Sequence, residues 1–157
     1  MGERKGQRGA GADGAVAEMF ARARAALAHA YAPYSSYHVA ACVRASNGTL
    51  FVGTNVENAA YPQGWCAECS AVASMVAAGE REIAEVLVIG AFHDGKGRYV
   101  EAPGSLCTPC GGCRQTISEF AGPETPIHVC GPEGPRRTFT LSELLPASFG
   151  PEDLDPG

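Results

Sequence analysis

The chain has 157 residues, of which 45% are hydrophobic and 18% are charged, and its formal net charge is −5. These values are typical of one globular domain, and the negative charge argues against a polynucleotide partner, which would require a basic surface. No apolar run reaches the length of a membrane span, and none follows the basic residues near the N-terminus, so we expect a soluble, cytoplasmic protein.

The predicted elements alternate in the manner of an α/β fold. Residues 1–14 are Gly-rich and charged and are predicted to be a disordered leader, residues 15–150 a single domain, and residues 151–157 a loose tail. In chain order we predict a helix at 15–30 with Asp13 as its N-cap, followed by strands at 37–45 and 49–53 around an Asn47-Gly48 turn. A helix at 67–78, a strand at 85–92 and a helix at 110–120 come next. The chain then forms strands at 127–130 and 136–140 and a last turn at 143–145 capped by Ser142. This order predicts a three-layer α/β/α sandwich around a mixed five-stranded sheet.

Cysteines carry the strongest chemical signal. There are seven, an odd number, and five of them lie in two tight clusters, which favours metal ligands over disulfides in a cytosolic protein. Cys66-Ala67-Glu68 and the Cys110-x-x-Cys113 pair each stand at the predicted start of a helix. Two thiolates of one turn can share a tetrahedral zinc with a third ligand from elsewhere, which leaves a position for water. A carboxylate two residues after the first ligand can then exchange protons with that water.

Spacing alone leaves a second interpretation open. Cys66-x-x-Cys69 together with Cys110-x-x-Cys113 has the pattern of a four-cysteine structural zinc site. That interpretation gives Glu68 and the polar segment 55–62 no role. Cys107 also lies three residues before Cys110, so the ligands in this region are not determined by spacing.

Five motifs in order resemble the small, homotetrameric, zinc-dependent cytidine deaminases. They are YAPYSSYHVAA (31–41), NVENAAYP (55–62), WCAE (65–68), PCGGCRQ (109–115) and LLPASF (144–149). The resemblance spans about residues 31–149. It implies hydrolysis of cytidine and deoxycytidine at C4 of the pyrimidine with release of ammonia, a reaction of pyrimidine salvage, in a homotetramer whose pockets are completed by neighbouring subunits.

The resemblance also implies a role for each matched residue. The implied roles are zinc ligation by Cys66, Cys110 and Cys113, proton transfer by Glu68, ribose binding by Asn55 and Glu57, stacking near base and sugar by Tyr37, recognition of the cytosine edge by the backbone around Ala67, and contact with a neighbouring subunit's pocket by Phe149. The Pro109 that precedes Cys110 matches the family signature, which makes Cys107 a bystander. Cys42, Cys130 and the four histidines are expected to be packing or surface residues.

The sequence departs from the family pattern at three positions. Cys69 replaces the usual arginine, Tyr37 a phenylalanine, and Ala40 a glycine. Loss of the arginine removes a charge that would offset three thiolates, so helix N-termini must compensate more. A blasticidin-type aminopyrimidine nucleoside is an alternative substrate, although Asn55 and Glu57 favour an unmodified ribose because an altered sugar would leave them unpaired.

Overall fold

A computed structural model describes residues 10–101 and 104–154 of the chain. In chain order the elements are α1 (Ala10–Ala26), β1 (Tyr37–Ala45), β2 (Leu50–Thr54), α2 (Ala67–Ala77), β3 (Ile83–His93), β4 (Tyr99–Val100), α3 (Gly111–Ser118), β5 (Pro126–Gly131), β6 (Gly134–Thr140) and α4 (Leu141–Leu144). Three short 3-10 turns occupy Leu27–His29, Tyr61–Gln63 and Pro151–Leu154.

The strands form one mixed sheet in the order β2-β1-β3-β5-β6, with β4 paired to the end of β3. Only the β3–β5 pair is parallel among the described strands. The β1–β2 hairpin turns at Asn47-Gly48 as predicted, because Gly48 adopts a φ of 89° that suits glycine. The five predicted strands are confirmed, and the short β4 makes the sheet six-stranded.

Two apolar clusters separate the three layers. On one face α1 packs its buried residues against the sheet, and on the other face α2 and α3 cover it. The α1 cluster contains Met19, Ala23, Leu27, Ala40, Cys42, Leu87, Ile89 and Cys130. The opposite cluster includes Ala41, Val43, Ala67, Ala71, Met75, Val86, Val88, Ile117 and Ile127. The alternation along β1 and β3 therefore directs odd and even positions into different cores, as a sheet covered on both faces requires.

A polar ladder crosses the sheet on the α1 side. Arg44 of β1 lies 3.8 Å from the Glu85 carboxylate of β3, and the His128 ring of β5 lies 3.3 Å from the same carboxylate. His128 Nδ1 is 2.9 Å from the Thr138 hydroxyl of β6. Arg44 also donates to the Ala15 carbonyl of α1 at 2.7 Å, so the ladder joins four strands and one helix.

Several predicted boundaries were wrong. Helix α1 begins at Ala10, so residue 13 lies inside it and is not its N-cap, and residues 10–14 are helical where a disordered leader was predicted. Residues 1–9 and 155–157 of the predicted leader and tail lie outside the described residues. Thr140, and not Ser142, caps α4, because its hydroxyl accepts from the Glu143 N–H while the Glu143 carboxylate accepts from the Thr140 N–H.

None of the helices in the described part of the chain combines the length and the apolar character needed to cross a membrane.

Candidate metal centre and active site

Two helices begin side by side at the cysteine clusters. Cys66 is the N-cap of α2 and Cys110 is the N-cap of α3, so both thiols lie at the electropositive ends of helices. The Sγ atoms of Cys66 and Cys110 are 3.9 Å apart, and those of Cys110 and Cys113 are 3.5 Å apart. All three sulfur atoms lie within 4.8 Å of one another.

This arrangement suits zinc. Zn–S bonds of about 2.3 Å in a tetrahedral site place the sulfur atoms about 3.8 Å apart, close to the measured separations. Three thiolates leave the fourth position for water or substrate, which is the pattern of catalytic rather than structural sites. The predicted ligands Cys66, Cys110 and Cys113 are thus brought together.

Cys69 does not join this group. Its sulfur lies 3.9 Å from Cys113 Sγ and 3.8 Å from the Thr116 hydroxyl, but it does not belong to the set of mutually close ligand atoms. The four-cysteine interpretation therefore lacks its fourth ligand. All seven cysteines are free thiols.

Arg114 does not replace the missing family arginine. Its guanidinium donates to the carbonyls of Pro109 at 2.7 Å and Leu144 at 2.8 Å, so it ties the loop before α3 to α4. The N-termini of α2 and α3 are thus the electrostatic support that the structure places at the thiolates.

Glu68 stands in the first turn of α2 beside the three thiols. It is the sole buried charged side chain among the described residues, with 4% of its surface exposed. Burial raises the pKa of its carboxyl above the ordinary value, because removal from water disfavours the charged form. A carboxyl in this state suits alternating acceptance and donation of a proton.

One cavity of about 330 Å³ unites most of the residues predicted for the site. Its walls include Tyr37, Asn55, Glu57, Cys66, Ala67, Glu68 and Cys110, with Val39, Trp65, Cys107 and Thr108 among the additional lining residues. Phe149 does not line it. That residue is 58% exposed and lies near the end of α4, where its carbonyl accepts from the Gln115 amide at 3.0 Å.

The two residues predicted to bind ribose are held by internal hydrogen bonds. Asn55 Oδ1 accepts from the Val39 N–H at 2.9 Å, and its Nδ2 donates to the Tyr37 carbonyl at 2.9 Å. This leaves the amide one donor and one acceptor position.

Glu57 is fixed in a similar way. Its carboxylate accepts from the Tyr34 N–H at 2.9 Å, from the Ser35 N–H at 3.2 Å and from the Ser35 hydroxyl. These bonds, chiefly that of the Ser35 hydroxyl, lower the pKa of Glu57. Of the roughly four acceptor positions of a carboxylate, one remains free for a ligand.

Two glycines important to the site were not singled out from the sequence. A Cβ on Gly53 of β2 would lie 2.3 Å from the Ala71 nitrogen and 2.4 Å from the Ala67 carbonyl oxygen of α2. A Cβ on Gly90 of β3 would likewise meet Cys107 and Tyr37. An isolated glycine inside a strand is itself a signal of close approach, and it could have identified both positions.

The comparisons with known proteins agree with this geometry. Residues 15–129 match the family model described as "Cytidine and deoxycytidylate deaminase zinc-binding region". The chain is similar to the cytidine deaminase of Sporosarcina psychrophila, with 35% identity over 139 residues that cover 88% of this chain and 94% of that protein. It is 36% identical over 129 residues to the cytidine deaminase of Mycobacterium tuberculosis strain H37Rv, covering 82% and 85% of the two chains.

Solved structures give the same result. The crystal structure of cytidine deaminase from Burkholderia pseudomallei matches with a TM-score of 0.73 and 35% identity, over 85% of this chain and 98% of that one. The structure of the Mycobacterium tuberculosis enzyme matches with a TM-score of 0.65 and 33% identity, over 85% and 96% of the two chains.

A three-layer fold that places three clustered thiols beside a buried glutamate, with Cys66, Cys110 and Glu68 lining one cavity, is that of a zinc-binding hydrolase. With these matches, the chain belongs to the cytidine deaminase family, whose zinc-binding region it contains over most of its length.

Proposed function

We propose that this protein hydrolyses the C4 amino group of cytidine and deoxycytidine, giving uridine or deoxyuridine and ammonia. The observation that carries the proposal is the position of Glu68, which lines one cavity together with Cys66 and Cys110 of the three-thiol cluster and with Asn55 and Glu57. We further propose a role in pyrimidine salvage, which follows from a nucleoside as substrate.

In the proposed reaction Cys66, Cys110 and Cys113 hold one zinc ion. Zinc in such a site lowers the pKa of water and so makes a nucleophile available at neutral pH. The Glu68 carboxylate takes a proton from the attacking water and delivers it to N3 of the pyrimidine. The oxygen of that water bonds to C4. Glu68 then carries the remaining proton of this new hydroxyl group to the C4 amino group, the C4–N bond breaks to leave a C4 carbonyl, and ammonia departs. One water is consumed for each ammonia released.

The remaining cavity residues orient the nucleoside. Glu57 offers one free acceptor and Asn55 one donor and one acceptor, a set that suits the 3′-hydroxyl of a ribose or deoxyribose. The backbone around Ala67 faces the same cavity and is proposed to bind the cytosine edge. Tyr37 presents an aromatic wall to the base and sugar.

We also propose a homotetramer in which Phe149 reaches the pocket of a neighbouring subunit. Large exposed aromatic side chains support an interface between subunits. They are Tyr31 (55% exposed), Tyr34 (51%), Tyr61 (76%), Trp65 (54%) and Phe149 (58%). Tyr34 and Tyr61 pack edge to face, with ring centroids 6.0 Å apart, and border a second cavity that shares Glu57 with the first.

The proposal is tested by Glu68→Gln. We expect the variant to keep one zinc per chain and to lose kcat for cytidine by about 10²–10⁴-fold, the range of general acid–base catalysis. Zinc is measured by atomic emission and deamination by the fall in ultraviolet absorbance. Glu119→Gln, at an exposed position after α3, is the matched control and should keep full activity.

Two outcomes would contradict the proposal. Unchanged deamination by Glu68→Gln would remove Glu68 from the mechanism. Absence of turnover of both cytidine and deoxycytidine by the zinc-loaded wild-type protein would overturn the substrate itself.

A further inference from the structure

Strand β3 carries one glycine where it passes the substrate cavity. A Cβ on Gly90 would lie 2.3 Å from Cys107 Sγ and 2.5 Å from the Tyr37 hydroxyl. Both side chains therefore rest directly on the backbone of β3, in space that any larger residue at position 90 would occupy. Cys107 and Tyr37 also line the cavity.

The Tyr37 ring is held at several points. Its face is met edge-on by Phe92, with ring centroids 4.8 Å apart and planes at 65°. Its hydroxyl lies against the Cys107 thiol, and burial first and this contact second raise the pKa of Tyr37 well above its ordinary value. The hydroxyl that distinguishes Tyr37 from phenylalanine thus lies beside the Cys107 thiol and over the Gly90 backbone.

The backbone of Tyr37 connects this wall to both residues proposed to bind the sugar. Its carbonyl accepts from Asn55 Nδ2 at 2.9 Å. Its N–H donates to the Ser35 hydroxyl at 3.0 Å, and that hydroxyl donates to the Glu57 carboxylate. A displacement of Tyr37 would therefore move both sugar-binding groups.

We infer that Cys107 is a positioning residue for the nucleoside sugar: its thiol wedges the Tyr37 hydroxyl against Gly90 and so holds Asn55 and Glu57 in place. The inference rests on the proposed function. The Cys107 sulfur does not belong to the group of three close ligand sulfurs, so this thiol has a separate position in the site. A truncated side chain at position 107 leaves a void beside the Tyr37 hydroxyl, and the ring can then tilt.

The test compares Cys107→Ala with Cys130→Ala. Cys130 is a buried cysteine in the α1 cluster, so its truncation removes the same atom on the face of the sheet opposite to Cys107. Each zinc-loaded variant is assayed with cytidine and with 3′-deoxycytidine, which lacks the hydroxyl that Asn55 and Glu57 are proposed to bind. For Cys107→Ala we expect KM for cytidine to rise about fivefold while kcat changes less than about twofold, as for loss of uniform binding.

The second substrate makes the test specific. KM of Cys107→Ala for 3′-deoxycytidine should match that of the wild type, and Cys130→Ala should match the wild type with both substrates. Equal KM increases with both substrates, a fall in kcat as large as the rise in KM, or no change with cytidine would overturn the inference.

A conservative variant provides a check against misfolding. Cys107→Ser keeps a partner for the Tyr37 hydroxyl, so its KM for cytidine should lie within about twofold of the wild type. A serine variant with the full fivefold increase would overturn the inference, even if the alanine variant did not fold. Failure of the proposed function would be seen separately, as an inactive wild-type protein.

Discussion

Gly53 sets the distance between the sheet and the helix that carries Glu68. The perturbation is Gly53→Ala, whose added Cβ would lie 2.3 Å from the Ala71 nitrogen, 2.4 Å from the Ala67 oxygen and 2.6 Å from Ser70 Cβ. Ordinary contacts begin near 3.4 Å, so α2 must recede by about 1 Å. Two of the three clashing atoms belong to the helix backbone, which cannot rotate away as a side chain can.

The size of the effect follows from this geometry. Overpacking of a core costs about 1–3 kcal/mol, and a clash with backbone belongs at the upper end. For a chain of this length about 3 kcal/mol lowers Tm by roughly 6–12 °C. Because the first turn of α2 carries Ala67 and Glu68, a displacement of about 1 Å would also lower kcat by about 10²-fold.

The assays are thermal unfolding by circular dichroism, zinc release to a chelator, and cytidine deamination. Gly122→Ala is the matched control, since a Cβ there meets nothing within 4 Å and its φ is not left-handed. It should change stability by less than about 0.5 kcal/mol. If Gly53→Ala keeps the Tm, zinc retention and kcat of this control, the close approach of β2 to α2 at Gly53 does not constrain the site.

Two further predictions concern the cavity and the assembly. Glu57→Gln should raise KM for cytidine by about tenfold or more with a smaller change in kcat. The reason is that an amide cannot accept all three hydrogen bonds from Tyr34 and Ser35, and each hydrogen bond to a charged group contributes about 1.5–3 kcal/mol. An unchanged KM in steady-state assays would contradict this role. Light scattering should give about four times the chain mass of 16.2 kDa. Co-assembled Glu68→Gln and Phe149→Ala chains should regain activity that neither has alone, because a pocket shared by two subunits can combine Glu68 of one chain with Phe149 of the other. An active monomer would exclude this arrangement.

Local signals predicted most of the fold. Strand β1 was predicted with its observed bounds, because Asn47-Gly48 marks the turn and alternating apolar positions mark the strand. Helix α2 ended where expected, since Gly79 adopts a φ of 96° just after it. The short β4 could not be found in this way, because its two residues form a strand only through pairing with Phe92 and His93.

The cap of α4 was predictable and was missed. Thr140 has glutamate three residues later, which is the capping-box pattern, whereas Ser142 has Leu145 at that position. The start of α1 was not predictable, since nothing before Ala10 marks a helix boundary.

Part of the candidate site could likewise be predicted from the sequence, and part could not. The proximity of Cys66, Glu68, Cys110 and Cys113 could be predicted from spacing and resemblance, because a ligand and its acid–base partner must occupy fixed positions on a helix turn. The role of Cys107 could not, because it depends on Gly90 and Tyr37, which come from separate strands. Contacts between distant segments leave no periodic trace in the sequence.

The polar ladder of Arg44, Glu85, His128 and Thr138 bears on how reliably the chain assembles. Side chains alternate between faces, so a slip of one residue in β1 or β3 would carry Arg44 or Glu85 into the apolar layer beneath α2. A buried charge without its partner is strongly unfavourable, whereas the paired ladder adds little to net stability. The ladder therefore selects the native strand register, and with it the relative positions of the two helices that carry the clustered cysteines.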